Sequence, residues 1–264
     1  GRCDPHPELT MLRKRLLAAV IVRQGRAVQS FGFKRWLPLG SVPCVVKNLD
    51  HWGADGIVVF CTDRKLAGPD LELLQSLSSL ELSTPLTYGG GIRTADHALQ
   101  AVQAGAERLV LNRVLSESPN QVRAIAEAVG AQALIASLPL IRSPQGQVLH
   151  WQHWCKRTQP IETLLSNPIW LNNVSELLIM DVNGEGHSQG PDQELLTYLR
   201  RHTQLPLLAF GGLSTADQLT RTLQQPGVSA AVVGNALNYS EESIRTFKQQ
   251  LTGLRLRPHP IDNT

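Results

Sequence analysis

The sequence predicts a single closed (β/α)8 barrel, the TIM-barrel fold, assembled from two repeated half-barrels. The pattern Gly-Pro-Asp-x-Glu-Leu-Leu occurs at Gly68–Leu74 and returns 122 positions later at Gly190–Leu196. Each copy is followed by Pro-Leu, a short apolar run, a glycine cluster and Thr-Ala-Asp. This spacing indicates a duplicated half-domain, because solenoid repeats recur every ~20–50 residues. One closed domain follows, since half a barrel alone would expose an unpaired sheet edge.

Eight β-rich apolar runs alternate with amphipathic stretches along the chain. The first run is continuously apolar, as expected for a strand buried on both faces of a parallel sheet. The predicted strands are Leu16–Val22, Gly56–Cys61, Leu86–Tyr88, Arg108–Leu111, Ala133–Leu138, Glu176–Asp181, Pro206–Phe210 and Ala230–Val233. The predicted helices are Val42–His51, Asp70–Leu77, Ala95–Ala104, Pro119–Ala128, Pro160–Leu171, Asp192–His202, Thr215–Gln225 and Ser240–Leu251. This alternation is the (β/α)8 pattern. A doubly wound sheet would have no reason to repeat its phosphate-type turn in both halves.

One polar stretch, Arg142–Gln159, interrupts the alternation after the fifth strand. Its Pro-Gln-Gly sequence and the following Val-Leu-His-Trp predict a β-hairpin inserted in a βα loop, on the functional face of the barrel. The hairpin contains His150, His153 and Cys155, a partial metal-binding pattern. No fourth ligand has a matching spacing, so we expect no metal site.

Composition and charge exclude several classes of protein. The chain has 264 residues, a formal net charge of +3 and four cysteines without metal-type or disulfide-type spacing. No basic stripe with interleaved aromatics points to nucleic acid, and no apolar stretch reaches ~18 residues. We expect a cytoplasmic protein without a cofactor. Residues 1–10 are predicted to be a disordered leader, 11–254 the barrel (halves of about 11–128 and 129–251) and 255–264 a tail.

Glycine clusters follow the third and seventh predicted strands at Gly89–Gly91 and at Gly211-Gly212. Glycine lets backbone N–H groups approach an anion closely, and a following helix N-terminus adds partial positive charge. Asn112 and Gly234-Asn235 follow the fourth and eighth strands, next to these turns. A single pair of glycines would indicate only a tight turn. Two at symmetric positions predict a pair of phosphate sites, and hence a ligand with a phosphate at each end.

The chain resembles the cyclase subunit of imidazole glycerol phosphate synthase over about residues 11–251. The resemblance lies in Met11-Leu12-x-Lys14-Arg15, Gly53-Ala54-Asp55, Gly89-Gly90-Gly91-Ile92-Arg93, Gly105-Ala106-Glu107-Arg108 and Gly211-Gly212. The glycine motifs are shared with the sister isomerase of the histidine pathway, whereas the opening motif is more typical of the cyclase. The resemblance implies phosphate binding at Gly91, Asn112, Gly186, Gly212, Gly234 and Asn235.

The resemblance also implies an activity and a partner. That family pairs a (β/α)8 barrel with a glutaminase subunit, as a heterodimer, and passes ammonia through the barrel. The ammonia cleaves and cyclises a bis-phosphorylated ribulosyl aminoimidazole carboxamide substrate at the opposite mouth. Four charged residues gate the ammonia path in the family. Arg15, Arg108 and Glu176 match three of them, and Gly56 replaces the fourth, a glutamate.

The catalytic positions of the family do not match. Ile21 replaces the aspartate near the end of the first strand, and Leu138 replaces the one that ends the fifth. Cys61 and Gln29 replace a second-strand aspartate and a lysine of the first loop. General acid–base chemistry needs a titratable group within hydrogen-bond reach of the substrate. The remaining acid at a strand end is Asp181, which would act as a general acid or base, cap a loop or pair with an arginine.

Four hypotheses follow for the function. The first is a divergent cyclase-type synthase subunit that uses glutamine-derived ammonia. The second is a non-cyclising paralogue that relays ammonia to a sugar amidotransferase in surface-polysaccharide synthesis. The third is an isomerase of the sister kind, which should also need a first-strand aspartate. The fourth is a phosphate-ligand-binding protein. Glu185 and His187, in the loop after Asp181, are further candidates for catalysis.

Overall fold

A computed structural model describes residues 13–235, 243–251 and 253–257. Its strands are β1 (Arg15–Arg23), β2 (Arg26–Phe31), β3 (Arg35–Ser41), β4 (Gly56–Cys61), β5 (Leu86–Gly89), β6 (Arg108–Leu111), β7 (Leu134–Arg142), β8 (Val148–Gln152), β9 (Arg157–Pro160), β10 (Glu176–Asp181), β11 (Leu207–Phe210) and β12 (Val228–Val233). Strands β1, β4, β5, β6, β7, β10, β11 and β12 run parallel in that order, and β12 pairs with β1 to close the ring. The predicted (β/α)8 barrel is confirmed.

Helices surround the ring and connect its strands. They are α1 (Val42–His51), α2 (Leu71–Ser78), α3 (Ala95–Gln103), α4 (Arg113–Glu117), α5 (Pro119–Val129), α6 (Ile161–Leu165), α7 (Pro168–Leu171), α8 (Gln193–His202), α9 (Ala216–Gln224) and α10 (Ser243–Gln250). The repeated Thr-Ala-Asp motif begins α3 and α9 in the same way, because Thr94 and Thr215 each accept an N–H bond from the first turn. Each described helix is too short or too polar to span a lipid bilayer.

The loop after the first strand contains a hairpin that the sequence analysis missed. Strand β1 continues beyond the barrel and pairs antiparallel with β2, which in turn pairs with β3. We call β2 and β3 with their turn (Arg26–Ser41) the mouth hairpin. Pro38 lies within β3, and proline argues against a strand in a sequence. It is tolerated here because β3 is an edge strand that pairs only with β2.

The single helix predicted over Pro160–Leu171 is wrong. The structure has two short helices, α6 and α7, separated by Ser166 and Asn167. Pro168 cannot donate a backbone hydrogen bond, so it cannot continue a helix, and it occupies the start of α7 instead. The side chain of Asn167 caps that start by accepting from the N–H of Ile169 at 3.0 Å.

Residues 255–257 lie beside Lys14, just before the first strand. Lys14 N–H donates to the carbonyl of Arg255 at 2.8 Å, and Arg257 N–H donates to Lys14 at 3.3 Å. The first residues of the expected tail therefore pack against the barrel. The expected leader 1–10, the motif residues Met11 and Leu12 and residues 240–242 of the last predicted helix lie outside the described residues.

The predicted hairpin after the fifth strand is confirmed. Strand β7 extends to Arg142 and pairs antiparallel with β8, and β8 pairs with β9. His150 of β8 is fully buried, with its Nδ1 3.3 Å from the amide nitrogen of Gln159 and no partner for Nε2. Cys155 is exposed. Among the described residues, no three His, Cys, Asp or Glu side chains lie close enough to share a metal ion.

Two apolar layers pack on opposite sides of the strands. The larger layer fills the space between the strands and the helices. The smaller layer lies inside the ring and consists of Leu17, Ile21, Val28, Val58, Phe60, Val110, Ile135, Leu178, Met180, Leu208, Phe210, Ala230 and Val232. Successive side chains of a strand alternate between these layers. The interior of the barrel is therefore a packed core, as is usual for this fold.

Burial of His150 predicts a pH-dependent stability. Burial, followed by the charge of His153, lowers the pKa of His150 from 6.5 to about 4. The unfolded chain takes up a proton near pH 6.5 and the folded chain does not, so folding is fully favourable above pH 6.5 and weakens as the pH falls toward 4. We expect a loss on the order of 3 kcal/mol. Urea unfolding between pH 7.5 and 4 measures it.

The matched variants are His150→Gln and His51→Gln. His51 is exposed on α1, so its replacement should leave the pH dependence as in the original chain. His150→Gln should flatten the dependence between pH 6.5 and 4. An equal slope in the original chain and in His150→Gln would contradict the burial argument.

Candidate functional site

The N-terminal rim of the barrel contains a cluster of charged side chains, which we call the charged rim (Arg15, Arg108 and Glu176). The carboxylate of Glu176 lies between the two guanidinium groups, 2.5 Å from Arg15 on one oxygen and in contact with Arg108 on the other. The hydroxyl of Ser229 donates to Glu176 at 3.2 Å. The structure thus brings together the three gate residues that the resemblance implies. Charge-assisted bonds of this kind hold a fixed geometry.

At the fourth gate position, Gly56, a neighbouring side chain fills the space beside the backbone. A Cβ added to Gly56 would lie 2.9 Å from Cδ2 of Leu17, which belongs to the interior layer. Leu17 therefore fills the space that a larger side chain at position 56 would need. This rim has one carboxylate for two guanidinium groups, with an apolar side chain beside them.

The opposite end of the ring, where the strands have their carboxyl ends, is the mouth of the barrel. Ile21 faces the interior there and is 3% exposed. Leu138 and Cys61 instead face the layer between strands and helices. The interior residue beside Leu138 is Ser137, whose hydroxyl contacts Sδ of Met180 at 2.9 Å. Burial raises the pKa of the Cys61 thiol to about 12, so it stays protonated at neutral pH.

Aromatic side chains fill the centre of the mouth. The rings of Phe60 and Phe210 stack with centroids 6.1 Å apart, and Phe33 of the mouth hairpin lies 6.3 Å from Phe210. Trp36 packs on Phe33 and lies under the guanidinium of Arg23. The cavity that remains beside Phe210 is about 10 Å³. In this arrangement the mouth hairpin closes the barrel.

The glycine turn of the first half is shaped by a neighbouring loop. Gly91 has φ +74°, and a Cβ there would lie 2.3 Å from the carbonyl oxygen of Gly68. Gly68 belongs to the first Gly-Pro-Asp motif, whose Asp70 N–H donates to the hydroxyl of Tyr88 at 2.8 Å. Asn112 follows the adjacent strand, and its Oδ1 is buried without a partner.

The second half repeats this arrangement. Gly212 has φ +65°, and a Cβ there would lie 2.0 Å from the carbonyl oxygen of His187. The N–H of Gly190, in the second Gly-Pro-Asp motif, donates to the carbonyl of Gly212 at 2.9 Å. Within residues 13–235, the N–H groups of Gly91 and Gly212 have no protein acceptor. Gly234 follows β12, beside the ring of Phe210. Both turns thus place a glycine with positive φ against the backbone of a neighbouring loop.

Two other predicted phosphate residues of the second half contact the mouth hairpin. The side chain of Asn235 donates from Nδ2 to the carbonyl of Ser30 at 2.7 Å and accepts from its N–H at 3.3 Å. A Cβ added to Gly186 would lie 2.4 Å from the same carbonyl oxygen. The hairpin backbone therefore lies where the resemblance implies the second phosphate.

The carboxylate of Asp181 is surrounded by backbone donors. Oδ1 accepts from the N–H groups of Asn183 and Gly184 at 3.1 and 3.0 Å, and Oδ2 accepts from Asp192 at 2.8 Å. Burial raises the pKa of Asp181, and these amide bonds oppose the rise. Asp181 and Tyr88 have equivalent partners, because each binds the N–H of the aspartate in its Gly-Pro-Asp motif. Through these contacts the carboxylate of Asp181 holds the loop of residues 183–192 in place.

Glu185 is the second buried acid of this loop. Its Oε2 accepts from the hydroxyl of Ser30 and from the N–H of Phe33, both at 3.0 Å, and its carbonyl accepts from Gly32 at 2.9 Å. The carboxylate is 2% exposed, and burial raises its pKa. Sequence reasoning named Glu185 only as a candidate acid. Its role in holding the hairpin was not predictable, because the hairpin itself was not predicted.

Fold and site together define a class: a duplicated (β/α)8 barrel with one glycine turn at the mouth in each half. The model of the histidine biosynthesis protein family matches residues 15–243, and the chain belongs to that family. It is 28% identical over 254 residues to the putative imidazole glycerol phosphate synthase subunit hisF2 of Vibrio vulnificus, covering 93% of this chain and 91% of that one. It is 28% identical to the subunit HisF of Metallosphaera sedula, covering 94% and 100%, and 26% identical to that of an Exiguobacterium species, covering 90% and 93%.

Glu176→Gln tests the charged rim. Removal of the carboxylate charge leaves two guanidinium groups facing each other at a largely buried site. Breaking such a pair is expected to lower the free energy of unfolding by about 3 kcal/mol, measured by urea denaturation. Glu117→Gln is the control, because Glu117 pairs with Arg113 on the exposed surface of α4. Its loss should be below about 0.5 kcal/mol. Equal losses would show that the rim cluster stabilises no more than a surface pair.

Proposed function

We propose that this chain is a barrel subunit of the imidazole glycerol phosphate synthase type that accepts ammonia from a glutaminase and releases it at its mouth without cyclising a substrate. It would work as a heterodimer with that glutaminase in the cytoplasm. Similarity to proteins named as HisF subunits supports the subunit type. The chain's own contacts distinguish between the possible activities.

The observation that carries the proposal is the absence of a free acid or base among the described interior side chains of the mouth. Ile21, Phe60, Met180 and Phe210 face the centre of the ring. A general acid or base must reach the substrate and exchange a proton with it. Asp181 and Glu185 already accept bonds from loop and hairpin donors. Their release would cost the contacts that position two segments of the mouth.

The charged rim supports the other half of the proposal. Arg15, Arg108 and Glu176 form one connected cluster at the end of the barrel opposite the mouth. The described side chains inside the ring between this cluster and Phe210 are mostly apolar, with the hydroxyl of Ser137 among them. Neutral ammonia can enter an apolar interior at much lower cost than an ion, because burial of an unpaired charge is strongly unfavourable. Movement of side chains such as Leu17 would be required to open a path.

The twin glycine turns support retention of a phosphorylated ligand. The N–H groups of Gly91 and Gly212 are available in both halves, and the resemblance implies a bis-phosphorylated one. In a subunit that does not cyclise, such a ligand would regulate delivery of ammonia to an acceptor enzyme, here a sugar amidotransferase. A cyclase or an isomerase would need Asp181 to act as its acid or base.

An assay with the ribulosyl aminoimidazole carboxamide bis-phosphate and ammonium chloride tests the proposal. We expect imidazole glycerol phosphate to form at least roughly 10⁴-fold more slowly than with the Metallosphaera sedula subunit, because two acid–base groups worth ~10²–10⁴ each are absent. The product is quantified by mass spectrometry.

Asp181→Asn and Glu72→Gln complete this assay. Glu72 is exposed on α2 and serves as the control for a lost carboxylate. Turnover close to that of the relative would refute the non-cyclising proposal. If that turnover vanished in Asp181→Asn with an unchanged melting temperature, Asp181 would be the acid or base of a divergent cyclase.

A further inference from the structure

The two anion turns of the mouth differ in what lies against them. In the second half, Ser30 of the mouth hairpin exchanges two hydrogen bonds with the side-chain amide of Asn235. Its carbonyl oxygen and Cα of Phe31 also lie within 2.6 Å of the position of a Cβ on Gly186. The hairpin backbone thus occupies the polar groups that would otherwise face an anion.

In the first half, no hydrogen bond joins a described residue of the hairpin to Gly91 or Asn112. The N–H of Gly91 has no acceptor in residues 13–235. Nε of Arg93, two residues after Gly91, is also buried without a partner. This half therefore has two N–H donors without an acceptor among these residues, that of Gly91 and Nε of Arg93, whose Nη2 donates to the carbonyl of Leu66 at 3.3 Å.

Charge at the second-half turn also opposes a phosphate. Glu185 precedes Gly186, and its carboxylate is 2% exposed. A phosphate bound at Gly186 would lie near this buried negative charge, where screening by water is weak. The same carboxylate accepts from Ser30 and Phe33. Glu185 therefore both holds the hairpin and disfavours an anion.

Hydrophobic contacts also stabilise the position of the mouth hairpin. Phe33 packs on Phe210 in the centre of the mouth, and Trp36 packs on Phe33. Displacement of the hairpin would expose these rings. Burial of apolar surface stabilises by about 25 cal/mol per Å², so their exposure adds a cost to any ligand that needs the second turn.

We propose that this barrel selects ligands with a single phosphate. This inference rests on the proposed function, because it requires that the glycine turns bind phosphate. The phosphate binds at Gly91 and Asn112, while Ser30, hydrogen-bonded to Glu185 and Asn235, covers Gly186 and the side-chain amide of Asn235 in the second half. A bis-phosphorylated ligand gains nothing from its second phosphate unless it displaces the hairpin. Ser30 and Glu185 are specificity-determining residues.

Binding of inorganic phosphate, followed by calorimetry, tests this selectivity. The original chain is expected to bind one phosphate. Glu185→Ala removes both the charge and the acceptor, so it should bind two phosphates and be cut faster by trypsin after Lys34 in the hairpin turn and after Arg35 at the start of β3. Glu72→Gln should behave as the original chain.

Each result separates the two proposals. The selectivity would be refuted, with the anion turns still supported, if the original chain bound two phosphates. The same conclusion would follow if the original chain and a folded Glu185→Ala each bound one. If the original chain bound no phosphate, both the selectivity and the anion turns would be refuted.

A second measurement needs no variant and so holds even if Glu185→Ala does not fold. The original chain should bind ribose 5-phosphate and ribulose 1,5-bisphosphate with affinities within about threefold of each other. A bisphosphate that binds tenfold or more tightly, with faster trypsin cleavage of the hairpin, would contradict the proposal.

Discussion

The apolar interior of the ring is the constraint on which the rest of the molecule depends. Every described strand of the barrel except β5 contributes to this layer, which runs from Leu17 at one end to Phe60 and Phe210 at the other. A buried unpaired charge costs far more than the small net stability of a domain can supply. Charged groups are therefore confined to the two ends, where they can pair. The ring therefore has a charged rim at one end and a mouth with glycine turns at the other.

Duplication explains why the mouth has two similar turns and different chemistry. In each half a Gly-Pro-Asp loop packs on a glycine turn. The backbone N–H of the aspartate in that loop donates to a side chain of a neighbouring strand. The first half uses the hydroxyl of Tyr88 and the second uses the carboxylate of Asp181. The scaffold tolerates either group because only an acceptor is required. Position 181 can thus retain an acid for structural reasons alone.

The barrel was predictable because its signals are local and repeated. Apolar runs, the Thr-Ala-Asp caps and the glycine clusters each follow from short-range rules. The three charged-rim residues came from the resemblance, and the structure places them in contact. The hairpin within Arg142–Gln159 was predictable because a Pro-Gln-Gly turn sequence precedes a short β-rich run.

Other features depend on contacts between distant residues. Strand β3 contains a proline and exposes most of its side chains, so only its pairing with β2 defines it. The inward or outward direction of Leu138 depends on the register of β7, which a sequence match does not fix. The partners of Asp181 and Glu185 come from loops that are ordered by each other. The closed mouth therefore became visible only with the three-dimensional arrangement.

The fate of nitrogen from [amide-15N]glutamine tests the central claim most directly. The chain would be mixed with a glutaminase subunit that binds it, together with glutamine and the bis-phosphorylated substrate, and the products analysed by mass spectrometry. If the barrel relays ammonia without cyclisation, 15N leaves the complex as free ammonia and the substrate is recovered intact. Label in imidazole glycerol phosphate would show that the mouth performs the cyclisation and would contradict the account.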